Sequence, residues 1–449
     1  MSQQHQRQLR SSSPRTPFVR LPSPDPEAMA SAARPSSPLL ADVERGRTLA
    51  FDRQRRSLRS RSPSAAKEAA TKRKYVLAAV FLLLSLVSFV VQTETAVYIQ
   101  STLGWKKPYL MLYLTHGSWT VLWPFQLLVL KARKPHIPWS AFLKAHISSV
   151  RTTARMIMAG TPHLSPAQSR LSPDVFMLRR IVGITCALTV AGSTWYVAVN
   201  MTTPSDLTAI YNCSAFFAYV FSIFMLHERI RGDKIFSVVV ACVGVLIVAY
   251  GDQGSPSGEE QQEEAANRTL GNLIIGVGSV MYGFYEVLYK KAACPPEGIN
   301  AGRSIVFANA VGTGLGATTL LLLWIPIPLL HLIGLEPFEL PHGQAAWLMC
   351  ISVLSNAVFS GSFLVLISLT SPVLSSVAAL LTIFLVAITD WILTEKPLTP
   401  AAVMGGVVIC VAFFLLAWST YREMSEDWGV SDRKKEDDDD EVWSEEEDV

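Results

Sequence analysis

A carboxylate and two tyrosines share one predicted helix face in the stretch VGSVMYGFYEVLYKK at residues 277–291. The seam consists of Ser279, Tyr282, Glu286 and Tyr289, at steps of three, four and three residues. These steps put side chains on the same face of a helix. A carboxylate flanked by aromatic rings can hold an organic cation, because charge attraction and contact with the ring faces both favour binding.

The apolar surroundings of Glu286 leave two interpretations open. The residues before it are apolar over most of a bilayer's thickness, and a charge at the bilayer centre costs at least ~2.5–3.5 kcal/mol on insertion scales. Such a carboxylate is expected to face a cavity or a partner. Lys290 follows four residues later, the favourable order for an ion pair near the cytosolic end of a helix. A cation receptor and a helix-end ion pair both fit the sequence.

Other polar residues interrupt the apolar segments. The further candidates for contact with a solute are Gln92, Glu94, Tyr196, Asn200 and Asn356. The first two follow a long apolar run and lie either at the lumenal boundary or inside a pore. Tyr196 and Asn200 lie at the end of a polar face of the third predicted helix. Asn356 lies on a similar polar face of the eighth predicted helix. His116 either makes a helix–helix hydrogen bond or relays a proton.

The composition of the 449-residue chain is that of a membrane protein. Half of the residues are apolar and 17% are charged, whereas soluble domains carry about 25% charged residues. Apolar segments of about 17–25 residues recur at membrane-spanning length. Each is predicted to be a helix, because backbone polar groups in lipid must bond within their own segment. The ten segments are 75–98, 109–130, 181–199, 205–227, 235–251, 271–289, 304–325, 346–367, 373–394 and 402–420.

Four polar segments lie outside these spans. Residues 1–74 are basic and rich in Ser and Pro, and residues 422–449 are acidic, so both are predicted to be disordered tails. Residues 131–180 form a basic insertion that is expected to contact the anionic cytosolic leaflet. Residues 252–270 form an acidic loop that contains a glycosylation sequon at Asn267.

The distribution of basic residues predicts the orientation. With both termini in the cytosol, 35 of the 39 Lys and Arg residues lie on the cytosolic side, as the positive-inside rule requires. The sequon then falls on the lumenal side, which agrees with this orientation. The six cysteines occur singly, without the spacing of a metal site or a disulfide framework.

Two stretches, residues 192–228 and 361–395, contain Gly, Pro and Glu residues in the same order and at matching intervals. The shared marks are Gly192, Pro204 and Glu228 in the first stretch and Gly361, Pro372 and Glu395 in the second. The intervals are twelve against eleven residues from Gly to Pro, and twenty-four against twenty-three from Pro to Glu. The simplest account is two five-helix halves, 75–251 and 271–421. Because five is odd, the halves are predicted to be inverted repeats around a site near the bilayer midplane.

These paired T-x-P and L-x-E elements resemble the drug/metabolite transporter superfamily with its EamA-type repeat. VVQTETAVYIQSTLGWKKPYLMLYLTHGS at 90–118 and YGFYEVLYKK at 282–291 further resemble solute-carrier family 35, subfamily F, and its fungal relatives. The resemblance covers about residues 75–421 and departs from the family in 131–180 and 252–270. It implies an all-α carrier fold. Members are linked variously to nucleotide sugars, amino-acid-like metabolites and, in this subfamily, thiamine.

The leading functional prediction is a secondary active transporter of a small polar or cationic metabolite, thiamine-like compounds included, working by alternating access. A nucleotide-sugar antiporter is the alternative within transport, although phosphates would require basic residues in the membrane. A receptor or scaffold that acts through its tails is the alternative from another class. An enzyme is not expected, because no nucleophile–base grouping or phosphate-binding glycine loop is present.

The expected partners are the lipid bilayer and a small-molecule solute. A coupling proton and a homodimer are left open, and neither a cofactor nor nucleic acid is expected. The fungal resemblance favours an endomembrane, vacuolar or Golgi, over the plasma membrane.

Overall fold

The computed structural model describes residues 63–199, 201, 210–250, 261–296, 298–394, 400–401, 403–420 and 422. The chain divides into two compact units, residues 1–70 and residues 71–449. Of the first unit only residues 63–70 are described, as helix. The contacts reported below belong to the second unit.

All regular elements of the described residues are helices. They are α1 (Pro63–Ser101), α2 (Pro108–Gly117), α3 (Leu122–Ala132), α4 (Trp139–Ala159), α5 (Asp174–Ala198), α6 (Ser214–Leu226), α7 (Gly232–Tyr250), α8 (Gln261–Ala293), α9 (Ala301–Leu322), α10 (Pro326–Leu332), α11 (Gly343–Leu369), α12 (Pro372–Ala379), α13 (Leu381–Thr394) and α14 (Val403–Thr420). Short 3₁₀ turns occupy Ser118–Val121 and Gln168–Arg170.

Six of the helical stretches in the described residues are long and apolar enough to cross a membrane. They are Thr71–Gln100, Asp174–Ala198, Thr269–Ala293, Ala301–Leu332, Gly343–Leu369 and Val403–Thr420. Two shorter apolar helices are Ile210–Leu226 and Pro372–Ile383. This arrangement is that of an all-α integral membrane protein. The count of ten spans and the inverted relation of the two halves stay predictions.

Two helices extend beyond the predicted spans. Helix α1 begins at Pro63, inside the segment 1–74 that was expected to be disordered. Proline is favoured in the first turn, and the following Ala, Lys and Glu residues have high helix propensity. Helix α8 begins at Gln261, inside the predicted loop 252–270, so Asn267 lies on a helix. Residues 252–260 and the tail beyond residue 422 lie outside the described residues.

The predicted second span, 109–130, is a helix interrupted by the 3₁₀ turn Ser118–Val121. Hydroxyl groups support this turn, because Ser118 Oγ donates to the carbonyl of Val353 at 3.2 Å and Thr120 Oγ1 donates to that of Gly117 at 2.8 Å. A Cβ atom on Gly316 would collide with the backbone nitrogen of Thr120. Gly316 therefore lets α9 pack closely against the turn, as small residues do in membrane bundles.

Helix α8 is central to the bundle. It packs most extensively against α5 and α6, and it also contacts α11, α12 and α4. Its residues Tyr285 and Tyr289 belong to the same buried cluster as Phe307 of α9 and Phe363 of α11. The predicted seam thus lies on the helix that contacts elements from both predicted halves. The insertion 131–180 contributes α4, which packs against α9, α8 and α5.

Candidate functional site

A cavity lies among helices α1, α2, α5, α8 and α11. It holds about 580 Å³ of empty space, counted out to its open mouth. Its polar lining residues are Gln92, His116, Asn356 and Ser360, and its aromatic ones are Phe89, Trp119, Trp195, Tyr196, Tyr211, Tyr282, Tyr285, Phe359 and Phe363. Since α1, α2 and α5 precede residue 251 and α8 and α11 follow it, both predicted halves contribute to the wall.

The aromatic rings form a continuous row along the cavity. Phe89 lies 5.0 Å from Phe359, which lies 5.5 Å from Phe363, measured between ring centroids. Tyr282 stacks on Phe363 at 6.3 Å. Tyr282 also lies 5.1 Å from Tyr211 and 5.6 Å from Tyr285. These separations are typical of interacting rings, whose negative faces attract cations.

Glu286 follows Tyr285 in the sequence and lies behind the cavity wall, since Tyr282 and Tyr285 line the cavity and Glu286 does not. Its side chain is 0% exposed. One carboxylate oxygen accepts a hydrogen bond from the hydroxyl of Ser376 on α12. The other oxygen, Oε1, is buried without a hydrogen-bond partner among the described residues. A buried carboxylate that is only half satisfied is costly unless a cation or a proton neutralises it.

Lys290 does not supply that cation. Its Nζ donates to the backbone carbonyls of Ile367 at 2.9 Å, Ser368 at 3.3 Å and Thr370 at 2.7 Å. These groups form the C-terminal end of α11, where the helix dipole favours a positive charge. The alternative of a helix-end ion pair between Glu286 and Lys290 is therefore wrong. Three converging carbonyls on a neighbouring helix hold the ammonium group instead.

A second polar group lies on the α1 side of the cavity. The Nε2 of Gln92 donates to the hydroxyl of Tyr196 at 3.4 Å. The same hydroxyl shares a hydrogen bond of 3.2 Å with Thr115 of α2. The Oε1 of Gln92 is buried without a hydrogen-bond partner in the described part of the chain. It is therefore an acceptor that a solute in the cavity could use.

Asn356 lines the cavity, but its side-chain oxygen is already hydrogen-bonded to the 3₁₀ turn. Its Oδ1 accepts a hydrogen bond of 2.7 Å from Nε1 of Trp119, and both side chains are buried. The ring of Trp119 in turn lies edge-on to His116, with centroids 5.2 Å apart. His116 borders Gly192, where a Cβ atom would lie 2.6 Å from its Cε1. Gly192, the first residue of the repeated pattern, therefore lets α5 approach the imidazole of His116.

The remaining predicted site residues have different positions. Ser279 is buried, and its hydroxyl has no hydrogen-bond partner among the described residues. Tyr289 is 0% exposed and donates to the carbonyl of Leu364 at 3.2 Å, so it packs against α11 and does not line the cavity. Glu94 is half-buried and lies outside the cavity lining. Asn200 and the side chain of Asn267 lie outside the described residues.

Sequence reasoning missed several residues of the site. They are Ser376, Trp119, Trp195, Tyr211, Phe359 and Phe363. Aromatic residues are common in membrane helices, so their types alone do not distinguish the cavity from lipid-facing surface. Phe359 and Phe363 do follow Asn356 and Ser360 by three residues each. A search for aromatic partners on the polar face of α11 would have found these two.

Several known proteins are similar to this chain in sequence. Thiamine-repressible mitochondrial transport protein THI74 of Saccharomyces cerevisiae is 25% identical over 324 residues, which cover 70% of this chain and 84% of the relative. The uncharacterized vacuolar membrane protein YML018C of the same yeast is 25% identical over 51% of this chain and 60% of its own length. Solute carrier family 35 member F5 of Macaca fascicularis is 27% identical over 191 residues, which cover 42% of this chain and 40% of the relative.

No family model matches the chain. The resemblance to solute-carrier family 35 is confirmed by relatives that are 22–27% identical. Two of the relatives described above are named as a transport protein and a solute carrier. The chain is a multi-pass membrane protein similar to the transporters of solute-carrier family 35 and their fungal relatives.

Proposed function

We propose that the protein is a secondary active transporter of a small cationic metabolite, which it moves by alternating access. The observation that carries this proposal is the carboxylate of Glu286, fully buried beside a row of aromatic rings and without a cationic partner among the described residues. A cationic solute would supply the missing positive charge. The rings of Tyr282, Tyr285 and Tyr211 would contact its faces.

The chemistry of the lining favours a cation over a nucleotide sugar. Phosphate groups are most often bound by Lys or Arg, by helix N-termini or by a bound metal. None of the residues that line this cavity in the described part of the chain is Lys or Arg. Lys290, the basic residue closest in sequence to Glu286, is held by three carbonyl groups. One relative is named for repression by thiamine, so thiamine is the first cation to test.

Exchange of a proton for the solute at Glu286 is the coupling step of the proposal. A buried carboxylate is tolerated when a proton or a bound cation neutralises it. Binding of the cation would release the proton, and release of the cation would allow the proton to return. The site is then neutral in both halves of the cycle, which lowers the cost of moving it through the membrane.

The proposed architecture is a pair of inverted five-helix halves, 75–251 and 271–421, with both termini in the cytosol. The cavity wall, which includes helices of both halves, supports this arrangement. Rocking of one half against the other would expose the cavity to each side in turn. An endomembrane location is part of the proposal, since one relative is a vacuolar membrane protein.

Uptake by purified protein in liposomes tests this function. We expect saturable uptake of an organic cation from a panel of thiamine, polyamines, amino acids and nucleotide sugars. Because a proton is exchanged for the cation, uptake should be faster when the liposome interior is more acidic than the outside. Removal of residues 1–62 and 423–449 should leave uptake intact. Preference for a nucleotide sugar would favour the alternative carrier. Absence of uptake by the intact protein for every solute would favour a receptor or scaffold.

A further inference from the structure

Helix α4 (Trp139–Ala159) presents three chemically different faces. One face is buried against the bundle through Phe142, Thr153, Ala154 and Met156. This face packs near α9, whose Arg303 donates from Nε to Ser149 Oγ at 3.4 Å. The second half of the helix is therefore attached to the bundle, through Ala154 and the hydrogen bond to Ser149. The remaining two faces point away from the described part of the protein.

The second face is an exposed apolar stripe. Trp139 is 53% exposed, Leu143 39% and Ile147 38%. These residues follow one another at steps of four, so each lies about 40° further round the helix than the one before. The three side chains form a narrow stripe in the first half of the helix, on the side where Ala154 is buried in the second half. Exposed apolar residues of this kind are costly in water but stable where a membrane surface covers them.

The third face is basic. Lys144 and Arg151 are exposed and lie beyond the apolar stripe, on the side away from the buried face. Arg151 also lies 3.3 Å from Asp174, in an exposed ion pair of the kind that contributes little to stability and leaves the guanidinium accessible. Residues 131–173 contain seven Lys or Arg residues and no Asp or Glu. Lys131 also lies 5.5 Å from the centre of the Trp139 ring. The chain thus offers positive charge along the edge of the apolar stripe.

The position of α4 restricts what can cover these faces. Helix α3 ends at Ala132 and α4 begins at Trp139, with six residues between them. Six residues span at most about 20 Å. Since α3 belongs to a predicted membrane span, the first residue of α4 lies within this distance of the membrane surface. An order of buried, apolar and basic faces around one helix is the pattern of a helix that lies in the interface.

We propose that α4 is an interfacial helix that inserts Trp139, Leu143 and Ile147 among the acyl chains and binds anionic lipid headgroups through Lys144 and Arg151. The occupant of the surface is the anionic leaflet of the protein's own membrane. Charge complementarity selects it, because basic residues close to an anionic membrane surface are attracted to its headgroups. The contacts of α4 with α8 and α9 link this lipid surface to the helix that carries Glu286.

Nitroxide labels test the orientation of the helix in lipid nanodiscs. One label is placed at Leu143→Cys, on the apolar stripe. The matched control is Ser148→Cys, an exposed position on the side of the helix that faces away from the stripe. The native cysteines are replaced in both variants. We expect the label at 143 to be more accessible to oxygen and the label at 148 to a water-soluble nickel reagent. Equal nickel access at both positions, or protection of position 143 from both reagents, would overturn the proposal.

Hydrogen exchange of the unmodified protein provides a second measurement. In nanodiscs with about 30% phosphatidylserine, residues 139–151 should exchange several-fold more slowly than in discs of phosphatidylcholine alone. The double variant K144Q/R151Q should lose this difference, whereas K291Q, which removes an exposed charge elsewhere, should keep it. The same exchange in both lipids for the unmodified protein would contradict anionic lipid binding. Failure of transport itself would not affect this result.

Discussion

The hydroxyl of Ser376 donates a hydrogen bond to the carboxylate of Glu286, and this bond joins α12 to α8. Both side chains are buried, at 3% and 0% exposure. The bond satisfies one oxygen of the carboxylate and leaves the other with no hydrogen-bond partner among the described residues. The carboxylate is therefore fixed in position and retains capacity for a further partner.

Lys290 is predicted to act as a positioning residue for this pair. It holds the end of α11, which leads directly into the turn before α12 and Ser376. Lys290→Met should remove hydrogen bonds to a charged group, which contribute about 1.5–3 kcal/mol each. We expect a lower midpoint of thermal unfolding and weaker cation binding. The matched variant Lys291→Met, at an exposed position, should change neither.

Trp119 and Asn356 form a pair whose energy a double-mutant cycle can measure. Asn356→Leu leaves the buried indole N–H of Trp119 without its acceptor, which costs about 1–3 kcal/mol. Adding Trp119→Phe to the Asn356→Leu variant removes the indole N–H that has lost its acceptor. The double variant should therefore lose less stability than the sum of the two single variants. Additive losses, measured by thermal unfolding in detergent, would mean that the hydrogen bond of 2.7 Å contributes nothing.

Gly192 is predicted to permit the close approach of α5 and α2. A Cβ atom there would lie 2.5 Å from Leu112 Cδ1 and 2.6 Å from His116 Cε1. Gly192→Ala should therefore destabilise the protein by about 1–3 kcal/mol through overpacking. Gly183 lies on the same helix with no atom within 4 Å of its Cβ position. Gly183→Ala should be neutral or stabilising by up to about 1 kcal/mol, because Ala has the higher helix propensity. Equal effects of the two changes would refute the close packing.

Hydropathy predicted where the helices lie but not where they break. Helical elements occur within each of the ten predicted segments that the structure describes. The 3₁₀ turn at Ser118–Val121 was missed, although Pro124 follows it and cannot donate a backbone hydrogen bond to the carbonyl of Thr120. Helices α1 and α8 extend beyond the apolar runs, since hydropathy reports contact with lipid and not the end of a helix.

The seam of α8 was only partly predicted. Tyr282 and Glu286 lie next to each other on adjacent turns, as their spacing requires. Tyr289 lies three residues further along, which turns it toward α11, where it bonds to Leu364. Lys290 has the spacing of an ion pair with Glu286 but finds three carbonyls in α11. Spacing along one helix fixes a face, whereas the partners on that face depend on neighbouring helices.

Equilibrium binding of a cation to the Glu286→Gln variant tests the central claim most directly. The probe is the cation that raises the unfolding temperature of the unmodified protein most, and Glu339→Gln, at an exposed position, is the control. The amide oxygen of the substituted side chain can still accept the hydrogen bond of Ser376, so the fold should persist. We predict that Glu286→Gln weakens binding by about 10- to 100-fold, the equivalent of about 1.5–3 kcal/mol, whereas the control binds normally. Unchanged affinity in a folded Glu286→Gln protein would contradict the account.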